Sequence, residues 1–241
     1  FQHTDYQKYR LFGINHDPIN PEREIMNLSS YLVTNDTGQH EESGYDLELF
    51  RNLLQPHFLF NSLNNLYALS VKGSERTPEA IVGLSHLLER VVHYTRRKTI
   101  LLSEEIQLIR DYIDLEKIWL GERSFKIDFQ VKGDTDGVSI PPLTLYTLIE
   151  NAFKHGIRKC DSNRWITIYL VVRQDKILLK IRNSVQAEEC RRSDTSREGK
   201  GLGIEAVRKL LEESYHRRYC LDIRPIGDVF AVDLIIGSRA A

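Results

Sequence analysis

A histidine beside a proline is the first place in this sequence where residue type and spacing suggest chemistry. In RNLLQPHFLFNSLNNLYALS, Arg51 to Ser70, His57 follows Pro56 and precedes Asn61 by four positions. Leu53, Phe60, Leu63 and Tyr67 recur at helical spacing, which predicts a helix with these four on one face. Pro56 removes a backbone donor inside that pattern, so a kink or a loosened turn is expected there. Asn61 then lies one turn above His57 on the same face. A neutral imidazole off the apolar seam carries a lone pair that can attack an electrophile. The plainer alternative is a surface histidine next to a kink.

A second group follows at Glu150-Asn151-Ala-Phe-Lys154-His155-Gly156. Glu150 and Lys154 are four apart, as are Asn151 and His155, so both pairs project from one side of a helix. Leu145, Leu148 and Ile149 form its opposite, apolar face. This set suits a nucleotide. An amide oxygen can ligate Mg²⁺, a lysine and an imidazole can meet phosphate oxygens, and a carboxylate can take a proton. A solvated helix face with one i,i+4 ion pair is the alternative. Farther on, Gly199-Lys-Gly201-Leu-Gly203 precedes another helix. Glycines let backbone approach phosphate, and a helix N-terminus supplies unpaired N–H groups. Such a run also suits a flexible hinge, and Lys200 adds charge to it.

The elements that must carry these residues can be read from periodicity. Helix one is expected over 46–71 and ends at KGSERTP. Helix two runs from Pro78 to about Arg97, with Ile81, Leu84, Leu87, Leu88, Val91 and Val92 as its stripe. His86 and His93 lie on it and read as surface or interface residues, with His93 the second candidate for a reactive histidine. A hairpin of two helices cannot cover its own apolar faces, so pairing of two copies into a four-helix bundle is expected. A third helix should start with Ser103 as N-cap and end near Leu120. The period then becomes two. Strands are expected at FKIDFQV, 166–172, 176–183, YCLDIRP and VFAVDLIIG, and helices from Pro142 and over LGIEAVRKLLEESY. Between them lies the polar stretch SVQAEECRRSDTSREGKG, too long for an ordinary connection.

Composition sets the frame. With 41% hydrophobic and 28% charged residues in 241, the chain can fold into one large or two modest domains. A net charge of −1 gives no reason to expect direct binding to nucleic acid. Cys160, Cys190 and Cys220 lack metal-ligand spacing and fit a reducing compartment. No apolar run approaches the ~20 residues of a membrane span. The first residue is Phe1, so the chain reads as a piece of something longer.

QPHFLFNSLNNL resembles the phosphoacceptor signature of the LytS-like sensor histidine kinases. IENAFKHG resembles the N-box of their ATP-binding domain. The resemblance spans roughly residues 47 to 237. It implies an α+β chain in three parts: an irregular connector (1–45), a dimerisation and phosphoacceptor hairpin (46–100), and an ATP-binding α/β sandwich of the Bergerat type (101–241). It implies that His57 is phosphorylated from Mg-ATP, with Glu150 as base for the imidazole, and that the phosphoryl group passes to a response regulator aspartate. Asn61 is expected to orient His57. It further implies Asn151 as Mg²⁺ ligand, Lys154 and His155 near the phosphates, and Gly199, Lys200, Gly201 and Gly203 as the glycine box behind a lid. Arg123 takes the place of an arginine that closes the third helix. The resemblance also implies a homodimer, a regulator of the LytTR type, and a cytoplasmic portion of a bacterial inner-membrane protein whose membrane segments lie outside this chain. One departure stands out. Histidine kinases carry an aspartate in a DxGxG box where this chain has Asn183 in IRNSVQ. An asparagine oxygen can still accept from the adenine amino group, without the charge that strengthens the bond; asparagine here is a variation familiar in LytS-like kinases. A nucleotide-binding scaffold without kinase activity, and an ATPase that dimerises as a clamp, are the two alternatives.

Overall fold

The computed structural model describes residues 56–121, 124–158, 164–173, 176–185 and 202–237. Helix α1 (Pro56–Val71) and helix α2 (Thr77–Tyr94) form the expected hairpin. The described part of α1 opens at Pro56, so the expected kink and the turns before it fall outside the described residues. Helix α2 buries Ala80, Leu84, Leu87, Val91 and Tyr94, and leaves Ile81 and Val92 exposed. The apolar stripe read from the sequence is thus split between two surfaces.

Strand β1 (Ile100–Leu101) leads directly into helix α3 (Leu102–Leu120). Ser103 is therefore inside the helix and does not cap it. The first turn is closed instead by Glu104, whose carboxylate accepts from the Leu101 N–H at 2.8 Å. After strand β2 (Lys126–Lys132), the two-residue strand β3 (Ser139–Ile140) pairs antiparallel with β1. This small ladder ties the start of α3 to the entrance of helix α4 (Thr144–Ala152). Helix α4 begins two residues after Pro142, because Leu143 adopts a left-handed conformation (φ 62°). It continues as a π-helical turn, Phe153–Ile157.

Strands β4 (Trp165–Arg173), β5 (Lys176–Ser184), β6 (Tyr219–Ile226) and β7 (Val229–Gly237) complete a five-stranded sheet in the order β2-β4-β5-β7-β6. Only the β2–β4 pair is parallel. Helix α5 (Leu202–Tyr215) precedes β6. Alternation along β5 sends Ile177, Leu179 and Ile181 to the helix-covered face, where they join side chains of α2, α3, α4 and α5 in one buried cluster. That cluster is continuous from the hairpin to the sheet. The result is helices plus a mixed sheet layered as an α/β sandwich, the α+β class expected.

Candidate nucleotide site

The alternation of β5 ends at Asn183, which follows Ile177, Leu179 and Ile181 on the helix-facing side. The strand is interior: Asn183 stands opposite Ile166 of β4 on one side and Phe230 of β7 on the other. Its side chain is fully buried at 0% exposure. Nδ2 donates to the Ser184 carbonyl at 3.1 Å, while Oδ1 is buried without a hydrogen-bond partner. An acceptor in that position costs about 1–3 kcal/mol unless a donor meets it.

What closes over Asn183 is the turn after α4. The π-helical turn lengthens the repeat, with the Arg158 N–H reaching the Phe153 carbonyl at 3.0 Å. Turns of this kind re-aim the residues they carry and recur at functional sites. Here the turn brings Gly156 against the strand end. A Cβ at 156 would fall 1.9 Å from Asn183 Nδ2 and 2.9 Å from the Ser184 carbonyl oxygen. Glycine at this point is a requirement of close approach.

One turn earlier sit Glu150 and Asn151. Asn151 is buried, and its Nδ2 donates to the Thr147 carbonyl at 2.8 Å. That bond engages the amide nitrogen and fixes the amide plane, leaving the carbonyl oxygen as its ligating atom. Glu150 is partly buried. Burial raises its carboxyl above the usual range, against the lowering pull of Lys154 and Arg158, and Glu116 raises it further. A carboxylate so placed is a better proton acceptor than one in water. Lys154 and His155 lie half-buried in the π-helical turn.

The structure therefore sets Gly156 against Asn183 at one corner of the sheet, with Lys154 and His155 in the same turn and Glu150 and Asn151 just before it. His57 lies in the first turn of α1, and the half-buried Asn61 is one turn on; α1 is a separate element from the corner. Of the glycine run, Gly203 is buried in the first turn of α5. Gly199, Lys200, Gly201 and Arg123 lie outside the described residues. His86 and His93 are exposed, as a surface reading requires. Among the described residues no group of three or more His, Cys, Asp or Glu could hold a metal ion. Mg²⁺ is commonly held by one or two protein oxygens plus substrate phosphates and water, so the Asn151 oxygen fits that ion. The buried, unpartnered Asn183 oxygen fits an amino-bearing base.

Sequence reasoning missed Glu105, Glu116 and Arg158. Glu105 and Glu116 are fully buried on α3. The available signal was their place in the stripe: Glu105, Ile109, Tyr112 and Glu116 follow helical spacing, so two charges interrupt an apolar face.

Residues 45–124 match the histidine kinase family, and residues 141–236 match the GHKL domain. Sensor protein LytS of Staphylococcus epidermidis is 26% identical over 165 residues, covering 66% of this chain and 28% of that protein. Sensor protein LytS of Enterococcus faecalis is 25% identical over 174 residues, covering 69% and 29%. The sensor histidine kinase/phosphatase LytS of Staphylococcus aureus is 34% identical over 118 residues, covering 49% and 20%. This chain thus spans less than a third of the length of these relatives.

Proposed function

We propose that this chain, whose two matched segments make it a member of the LytS-like histidine kinases, phosphorylates itself on His57 from Mg-ATP and passes the phosphoryl group to an aspartate of a response regulator. The observation that carries the nucleotide half is the unpartnered Asn183 oxygen, buried beside the turn that carries Gly156 and follows Asn151. The adenine amino group donates to that oxygen. Asn151 would hold Mg²⁺, which when bound neutralises charge on the phosphates. Lys154 and His155 meet phosphate oxygens, and the glycine run Gly199 to Gly203 is assigned to phosphate binding by its residue types.

One nitrogen of neutral His57 forms a bond to the γ-phosphorus as the bond to the ADP oxygen breaks. Glu150 accepts the proton from the other ring nitrogen, a task its raised carboxyl suits. Asn61 orients the ring. The carboxylate of the regulator then attacks phosphorus, and the phosphohistidine nitrogen leaves. A regulator of the LytTR type is the partner expected for this family.

The hairpin supports self-association. Leu63, Tyr67 and Val71 recur every four residues on α1 and are 50%, 71% and 67% exposed. A second copy covers such a stripe in a four-helix bundle. Among the described residues no helix is long and apolar enough to cross a membrane. Attachment to the inner membrane, with this portion in the cytoplasm, falls to the longer protein.

The nucleotide half is tested by titrating the chain with non-hydrolysable ATP and GTP analogues. ATP analogue should bind and GTP analogue should not, since guanine presents a carbonyl where adenine presents its amino group. Asn183→Leu should abolish binding. Equal binding of both analogues, or an unaffected Asn183→Leu, would contradict the assignment.

A further inference from the structure

Helix α4 has no cap of its own. The residue before its first turn is Leu143, in a left-handed conformation, and no side chain within the segment satisfies the first N–H groups. The cap comes from another helix. Glu105 of α3 is fully buried; its Oε2 accepts from the Leu143 N–H at 2.9 Å, and its Oε1 from the Leu145 and Tyr146 N–H groups at 2.9 and 3.1 Å. Three charge-assisted bonds at a helix N-terminus also meet the positive end of its dipole.

The other end of the same segment is held by the same helix. Glu116, likewise fully buried, stands three turns beyond Glu105, ~16 Å along the axis. It takes both arms of Arg158, with Oε1 2.5 Å from Nη2 and Oε2 3.3 Å from Nε. Arg158 closes the π-helical turn, and its guanidinium lies 5.7 Å from the centre of the Trp119 ring. Between the two carboxylates Tyr112 packs edge-on against Tyr146 and Phe153, with centroids 5.3 and 5.4 Å away. Helix α3 is equally fastened to the hairpin. Arg90 pairs with Asp111 at 3.2 Å, Arg97 with Glu104 at 2.7 Å, and Leu115 lies 3.0 Å from where a Cβ on Gly83 would stand.

We infer that α3 is a two-point clamp on the segment carrying Glu150, Asn151 and Gly156, with Glu105 and the Glu116–Arg158 pair as positioning residues that couple the nucleotide corner to the hairpin. Neither carboxylate touches nucleotide; each fixes one end of the segment that does. The functional readout rests on the kinase reading above. The clamp itself is a statement about α3 and α4 alone.

A merely stabilising pair can be replaced by apolar residues at little cost in stability. A positioning pair cannot be replaced without loss at the site. The experiment compares the whole chain with Glu105→Ala and with the double variant Glu116→Leu, Arg158→Leu. Melting temperature, affinity for a non-hydrolysable ATP analogue, and amide hydrogen exchange over residues 143–158 and over β4 and β5 are measured. In the double variant, melting should be close to that of the unaltered chain. Exchange over 150–158 should be faster and nucleotide affinity about tenfold weaker, with exchange in β4 and β5 unchanged. Glu105→Ala should speed exchange over 143–147 and weaken nucleotide by a similar factor. If Glu105→Ala does not fold, Glu105→Gln decides: one amide oxygen keeps Leu145 and Tyr146 and frees Leu143, so exchange rises at Leu143. Unchanged exchange and affinity in folded variants would overturn the clamp. An unaltered chain that binds no nucleotide would count against the kinase reading and leave exchange to decide the clamp.

Discussion

Around the nucleotide corner, Phe153, Ile157, Ile166 and Ile181 are at most 1% exposed, whereas on α1 Leu63, Tyr67 and Val71 stand at half exposure or more. Among the described residues the apolar side chains of the corner are covered within one chain, while the buried Asn183 oxygen has no hydrogen-bond partner. The hairpin is unfinished in apolar surface. A missing hydrogen bond calls for a small polar ligand; a missing apolar cover calls for another protein surface. Each region's deficit thus names the kind of partner that completes it.

The largest effect should come from filling the corner. Gly156→Ala places a Cβ 1.9 Å from Asn183 Nδ2 and against the Ser184 carbonyl, so the turn must move off the strand end. ATP-analogue affinity should fall by roughly a hundredfold or more, while circular dichroism keeps the folded signature. Unchanged affinity would break the claim that the corner is already closed.

Next comes the buried cap. Burial pushes the Glu105 carboxyl from 4.5 up to about 7, against the three backbone N–H groups that favour its charged form. The folded chain therefore holds this proton more tightly than the unfolded chain does. The cost of the bare carboxylate is absent below pH 4.5, accumulates as pH rises toward 7, and is complete above it. Urea unfolding should show this group lowering stability by about 3 kcal/mol across that window, and Glu105→Gln should remove that part of the pH dependence. An identical pH profile in the variant would contradict it.

The hairpin should respond differently. Tyr67→Glu puts a charge in the exposed stripe, and sedimentation should show self-association weakened about fiftyfold, with nucleotide affinity unchanged. No change in association would remove the stripe from the dimer surface. The smallest effect is a sharpening one. Asn183→Asp gives the buried acceptor a charge but loses the Nδ2 donation to the Ser184 carbonyl, so calorimetry should show ATP-analogue affinity changed by no more than about fivefold.

Much of this was legible in the sequence because it depends on local patterns. The strand–helix order from Phe125 onward, and helix α5 to the residue, follow from periods of two and 3.6. Glu150 and Asn151 were singled out by type and spacing, and Asn183 through the resemblance; the structure sets Gly156, in the turn after Asn151, against Asn183. What was not legible depends on long-range pairing. The β1–β3 ladder is two residues long and has no period to detect. Glu105 lies 38 to 41 positions from the N–H groups it caps, and Glu116 lies 42 from Arg158. Glu105 lies in the first turn of its own helix, yet its carboxylate serves the N-terminus of another. Leu143 hid the start of α4 because nothing local marks a leucine for a left-handed conformation.

In the proposed function His57 takes phosphate from ATP bound at the corner. The most direct test is incubation with Mg²⁺ and γ-labelled ATP, comparing the unaltered chain with His57→Ala. Acid-labile, base-stable label is expected on the unaltered chain and none on the variant. Equal label on the variant would move the acceptor to another histidine, His93 first. Absence of label on a chain that binds ATP analogue would contradict self-phosphorylation by this portion of the protein.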